Sequence, residues 1–204
     1  MGLTRDRIVD AAITLIERDG LDAVSMRKLA AELDAGTMSL YNHIPNKAAL
    51  LDAVSERVFA ELDTPAGDGD WRDRLRAQAH ALRDLSRRYP HAFVLLALRR
   101  LGTESGLRPV ERALATLADA GYHGPEAVHA LRAIVAYVTG ALMREAETTP
   151  SLGGVAISPY AEPIDATEYP LVAAASPTLA AYDHAREFDH GLDLLIRALA
   201  TPAQ

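Results

Sequence analysis

The 204-residue sequence predicts an all-α protein. Three observations carry this. Apolar residues recur at three- and four-residue spacings along most of the chain, and no run alternates with period two. Ala, Leu and Arg, which favour helices, are abundant. Gly and Pro fall at intervals that punctuate helices rather than breaking them internally. No repeat of 20–50 residues is present.

The elements follow in order. Thr4 caps a first helix with Ile8, Ala12, Leu15 and Ile16 on one stripe. Asp19-Gly20 ends it, Gly20 being suited to a left-handed cap. Ser25 caps a second helix carrying Met26, Leu29, Ala30 and Leu33. Asp34-Ala35-Gly36 is a short break, and Thr37 to His43 a brief third helix stopped before Pro45. Asn46 caps a fourth helix from Lys47 to about Leu62, with Leu50, Leu51, Val54, Val58 and Phe59 inward. The loop Asp63 to Asp70 is the expected boundary between a small N-terminal domain, residues 1–62, and a larger helical body, residues 71–204. In that body helices are expected over Trp71–Tyr89, His91–Arg100, Pro109–Ala120 and Pro125 to about Glu147. Thr148 to Pro170 is rich in Pro, Gly, Ser, Thr and acids and is expected to be mobile. A last helix runs from about Thr178 or Asp183 to Ala200.

Composition narrows the chemistry. There is no cysteine, so disulfides, thiolate nucleophiles and Cys-ligated metal sites are excluded. The net charge of −7 rules out nonspecific coating of nucleic acid, so any DNA contact must be a local patch. The N-terminus has no signal-peptide apolar core, and no apolar run of about 18 residues is read from the sequence. An intracellular, cytoplasmic location without membrane contact is expected.

Two later helices carry seams. The long one has Val128, Leu131, Val135, Val138 and Leu142 at spacings of 3, 4, 3 and 4, with a second flank of Ile134, Tyr137 and Ala141. The last has Phe188, Leu192, Leu195, Ile196 and Leu199. These stripes fill the core of one chain or form a dimer face. The second reading is favoured, with Val128, Val138, Leu142, Phe188, Leu192, Leu195 and Leu199 as the interface. Gly140 within a helix costs about 1 kcal/mol relative to Ala, which a close helix crossing would explain.

Residues 25–47 read SMRKLAAELDAGTMSLYNHIPNK: helix, tight turn, short helix, stop. So short a second helix is marginal as a packing element. It makes sense as an element entering a DNA major groove, with the preceding helix across the backbone. Arg27, Thr37, Ser39, Asn42 and His43 can reach base edges or phosphates, and Tyr41 and Lys47 suit phosphates. Ser25 and Met38 complete the candidate set. The charge over 25–47 is +1, while residues 1–50 hold six basic and seven acidic groups and the rest of the chain carries −6. That tilt is mild and does not by itself indicate DNA.

The segments SMRKLAAEL, SLYNHIPNK and AALLDAV resemble the DNA-binding domain of the TetR family of transcriptional regulators, across residues ~5–60. The resemblance implies that the helix ending in Tyr41-Asn42-His43 is the recognition helix. It further implies an N-terminal three-helix helix-turn-helix domain and a C-terminal helical domain for ligand binding and dimerisation. Tyr89-Pro90-His91, Glu111 to Tyr122, Tyr137 to Gly140 and FDHGLDLLIRAL extend it to the tetracycline-repressor-like subgroup. The expected partners are then a palindromic double-stranded DNA operator, a small-molecule effector that releases it, and a second copy of the chain. The protein is expected to repress. Where the family often has Gly then Val in the turn, this chain has Asp34 and Ala35. Asp tolerates the left-handed region, so Asp34 is expected to replace the glycine. Alignment with the tetracycline repressors puts Asp63, Gln78, Leu82 and Leu96 where drug and metal are held. Leu96 cannot ligate magnesium, so a more apolar effector is expected, walled by Phe59, Gln78, Leu82, Leu96, Leu114, Leu131, Val135 and Thr139. Ordinary core packing is an equal alternative for each of these.

Two rival readings remain. Glu126-x-x-His129 and Glu187-x-x-His190 are half the ligand set of a di-metal carboxylate bundle enzyme. At about 100° per residue they fall away from the apolar stripes, whereas bundle ligands must point inward. The other rival is a helical small-molecule-binding protein without DNA function. Arg27, Tyr41, His43 and Lys47 together favour DNA. No catalytic residues, metal or cofactor are expected.

Overall fold

The computed structural model describes residues 2–62, 69–98, 104–147, 164–181 and 183–200, and every regular element among them is helical. The chain divides into two compact units, residues 1–135 and 136–204.

The first unit begins with α1 (Arg5–Asp19), whose N-cap Thr4 accepts the Arg7 N–H at 3.3 Å. Gly20 ends it at φ +82°, and a 3-10 turn, Leu21–Ala23, leads to α2 (Met26–Glu32). Ser25 caps α2 by accepting the Lys28 N–H at 3.2 Å. Next come α3 (Thr37–Tyr41) and α4 (Lys47–Ala60), the latter capped by Asn46, which accepts the Ala49 N–H at 2.8 Å. The helices α5 (Trp71–Arg88), α6 (Pro90–Leu98) and α7 (Glu104–Asp119) follow. α4 packs on α1, α6 and α7; α1 also meets α6; α5 packs on α6 and α7. Ile8, Leu15, Ile16, Leu29, Leu40, Leu50 and Val54 are all but fully buried. Each contributes about 1.5–3 kcal/mol of transfer free energy, enough together to hold α3, which is too short to persist alone.

α8 (Gly124–Glu147) starts in the first unit and continues into the second. The second unit also holds α9 (Pro170–Ala180) and α10 (His184–Leu199). Asp183 caps α10 by accepting the N–H groups of Ala185 and Arg186. The Tyr137 ring of α8 stacks on Phe188 of α10 with centroids 6.3 Å apart.

Three features depart from the sequence reading. α7 begins at Glu104, with Pro109 inside it rather than at its start. A proline's φ is itself helical, so it removes one hydrogen bond without ending the helix. α9 runs from the last residue of the stretch expected to be mobile, through the unassigned residues 171–177, into the earlier start considered for the last helix, and none of its residues is buried. Pro170 at its first turn is the signal that could have found it. Of the stretch expected to be mobile, 148–163 lies outside the described residues.

The third departure concerns the seams. The buried stripe of α8 is Ala127, Ala130, Ile134, Val138 and Leu142, while Val128 and Val135 are 36% and 48% exposed. The reading by 3, 4, 3, 4 assumed a 3.5-residue repeat; a helix of 3.6 residues per turn drifts off that line. Val135 therefore faces away from the buried stripe. Val138, Leu142, Phe188 and Leu192 are at most 2% exposed within the single chain. They form its internal packing and are not free to make a dimer face. α8 also contains an 18-residue window of mean hydropathy 1.2 between Gly124 and Ala146, long enough to span a bilayer, contrary to the sequence reading. Glu126, His129 and Arg132 are exposed along it opposite the buried stripe, the pattern of a packed amphipathic helix.

Candidate nucleic-acid interface and effector region

The turn between α2 and α3 rests on one backbone conformation. Asp34 has φ +48°, alone among the described non-glycine residues. This is the left-handed state expected of it, and it lets Ala35 N–H reach the Ala30 carbonyl at 3.0 Å. Leu40 (0% exposed) and Ile44 (1%) anchor α3 from beneath. Ser25, Arg27, Met38, Ser39, Tyr41, Asn42, His43 and Lys47 are then all exposed, and Thr37 is half-buried. Met38, 75% exposed, offers an apolar tip of the kind that meets a thymine methyl. The Ser25 hydroxyl is engaged as a helix cap.

Charge sorts the cations around this head. Lys28 Nζ pairs with Asp19 at 2.7 Å, and Arg18 pairs with both Asp19 and Glu32. Hydrogen bonds from Arg18 first, and then from Lys28, hold the Asp19 carboxyl well below the usual carboxylate range. Arg18 lowers Glu32 likewise. These groups brace α1 against α2. Arg27 and Lys47 take part in no such pair among the described residues, so they are the cations left to meet phosphates or bases.

In the first unit α7 packs on both α4 and α5, and Gln78 lies at the α5–α7 contact, 9% exposed. Thr116 donates its one hydroxyl proton to the Arg112 carbonyl at 3.0 Å. It therefore accepts from Gln78 Nε2, at 2.9 Å. That fixes the amide orientation and leaves Gln78 Oε1 buried without a partner. An unmet buried acceptor costs about 1–3 kcal/mol, which a ligand donor would recover. Phe59, Leu82, Leu114 and Leu131 are half-buried in the same unit, and Thr139 is half-buried in the second. Asp63 and the Leu96 side chain lie outside the described residues.

In the second unit, α8 and α10 border a groove of about 450 Å³ lined by Tyr137, Gly140, Ala141, Phe188, Gly191 and Leu194, among others. Leu194 is 51% exposed, and Leu195 and Leu199 are half-buried. Glu126, His129, Glu187 and His190 are all exposed, and no three His, Asp or Glu gather as a metal cluster among the described residues.

Two family profiles match. "Bacterial regulatory proteins, tetR family" matches residues 8–54, and "Tetracyclin repressor-like, C-terminal domain" matches residues 64–202. The chain belongs to the TetR family. It is a ligand-responsive transcriptional regulator with a helix-turn-helix head and a helical ligand-binding region, in a family of regulators rather than enzymes. It is 40% identical over 141 residues to the transcriptional repressor DrrR1 of Streptomyces coeruleorubidus, covering 68% of this chain and about half, 52%, of that relative. It is 31% identical over 201 residues to the class D tetracycline repressor of Escherichia coli, covering 96% and 88%. Among solved structures, the TetR-family protein ActR of Streptomyces coelicolor in complex with actinorhodin matches with TM-score 0.87 and 29% identity, over 99% of this chain and 100% of that one.

Proposed function

We propose that the chain is a homodimeric repressor that binds a palindromic operator and leaves it when a small molecule enters the helical body. Residues 1–62 serve as the reading domain and residues 71–204 as the sensing and pairing domain. The observation that carries the reading is the exposed ring of Arg27, Met38, Ser39, Tyr41, Asn42, His43 and Lys47 around a buried Leu40. A globular protein rarely presents so short a helix with so many donors unless it has a partner to read. Thr37 opens the helix, and Ser25 fixes where α2 meets the backbone. Two such heads on one face of DNA stand about one helical turn apart, ~34–36 Å. The site of action is the bacterial cytoplasm, and no catalysis is assigned.

The effector is an apolar molecule that offers a hydrogen-bond donor to Gln78 and packs against Phe59, Leu82, Leu114 and Leu131. Actinorhodin on ActR, and minocycline on a tetracycline repressor variant from Acinetobacter baumannii, support a polycyclic aromatic class. Magnesium plays no part in its binding, since Leu96 offers no ligand atom. The effector acts by preferring the form whose heads are wrongly spaced. The dimer face of the second unit uses the α8–α10 groove with Leu194, Leu195 and Leu199; Val128 of the first unit is a separate contact of the partner chain.

Selection of bound sequences from a random duplex library, at fixed near-physiological salt, tests this. Enrichment of an inverted repeat is expected. A folded dimer that enriches nothing overturns it.

A further inference from the structure

We propose that Glu17 is a joint between the sensing helices and the reading head, holding the first turn of α6 to α1; this rests on the regulator reading above. α6 opens at Pro90, which has no N–H, so His91 and Ala92 are its first backbone donors. Both go to Glu17 of α1, at 3.3 Å to Oε2 and 2.9 Å to Oε1. A helix start is usually capped by the residue just before it. Here that residue is Tyr89, which has no side-chain acceptor in reach, and the cap comes from over seventy positions away. A carboxylate there also meets the positive end of the helix dipole.

The corner is held from its other side as well. Tyr89 donates its hydroxyl to Glu61 at 2.9 Å, and Arg88 pairs with the same carboxylate at 3.2 Å. Next along α1 from Glu17, Arg18 and Asp19 are tied to Glu32 and Lys28 of α2. α2 leads through the Asp34 turn into α3. A continuous set of contacts therefore runs from α6 through Glu17 to the helix that sets the head, all inside the first unit.

A second arrangement stands close by. His91 Nδ1 is buried with no hydrogen bond, 3.6 Å from Glu17 Oε2. The backbone bond of His91 to that same oxygen is long. A slide of α6 by roughly an ångström would bring Nδ1 within hydrogen-bond range of that oxygen, a second way of holding the same corner. α5, which carries Gln78 and Leu82, packs directly on α6.

Hydrogen exchange of the full chain, read over residues 89–95 with and without the selected inverted-repeat duplex, tests the joint. In the wild type the duplex is expected to change exchange of the His91 and Ala92 amides by about threefold or more. In Glu17→Ala those amides should exchange roughly tenfold faster in the free protein, and the response to duplex should vanish. Should that variant fail to fold, Glu17→Gln, which keeps one acceptor, decides: faster exchange with a reduced response supports the joint. An unchanged wild-type segment on duplex binding, or a variant that responds as the wild type does, overturns the joint alone. A wild type that binds no duplex overturns the regulator reading, and the joint with it.

Discussion

The hydroxyl of Tyr137 sits where a side chain at position 191 would be. A methyl group on Gly191 would overlap the Tyr137 hydroxyl and ring. Through that opening the hydroxyl reaches the carbonyls of Glu187 and Phe188, at 2.9 Å each. The glycine is required here by close approach and not by its backbone angles.

The first prediction is therefore that Gly191→Ala destabilises the protein. Helix propensity alone would gain about 1 kcal/mol. Overpacking costs typically about 1–3 kcal/mol and should win. Adding Tyr137→Ala should recover much of the loss in a double-mutant cycle by urea unfolding. A Gly191→Ala protein as stable as the wild type would mean the ring moves aside freely.

The dimer face can be separated from the core. Leu194→Glu puts a charge on the exposed side of α10 and should yield folded monomers in light scattering. Leu192→Glu buries a charge at a position 1% exposed and should unfold the second unit instead. Dimers persisting in a folded Leu194→Glu protein would move the interface elsewhere.

Arg27→Ala should weaken operator binding by about 1–3 kcal/mol and relax preference at one base position. Equal losses on operator and random duplex, in a titration at fixed salt, would reduce Arg27 to a phosphate contact.

Acid should loosen the brace between α1 and α2. The Asp19 and Glu32 carboxyls are held low by Arg18, so in the fully ordinary carboxylate range the unfolded chain binds protons that the folded one does not. Stability from this source is complete only above about pH 5, and declines as pH falls through the ordinary unfolded carboxylate values toward the lowered folded ones. Asp19→Asn should show a shallower fall of the urea midpoint between about pH 4 and pH 2 than the wild type. Parallel curves would show that the pairs add nothing.

Gln78→Met removes the unmet oxygen along with the bond to Thr116. Its thermal midpoint should match or exceed that of the wild type, while release from the operator by any active compound should need more of it. A clear loss of stability would show that the Thr116 bond outweighs the orphaned acceptor.

Much of the head was legible in the sequence. Caps at Thr4, Ser25 and Asn46 act locally, within three residues, and so leave a local trace. Asp34 was readable for the same reason. The stripe of α8 was not. Choosing between Val135 and Ile134 depends on which neighbour the helix meets, and valine and isoleucine read alike. Glu17 was invisible as a cap because its partners lie in another part of the chain. Gly191 showed only as a glycine in a helix, with nothing to name Tyr137 as its cause.

Asp34 also has a genetic consequence. The left-handed backbone at this turn suits glycine and asparagine as well as aspartate. Among the residues one base change from an aspartate codon, those two keep the turn, and histidine, which also visits this region more than most residues, tolerates it. Alanine, valine, tyrosine and glutamate strain it. Drift at this codon is thus filtered by backbone geometry before any contact with a base is at stake, and relatives that differ here should differ within that narrow set.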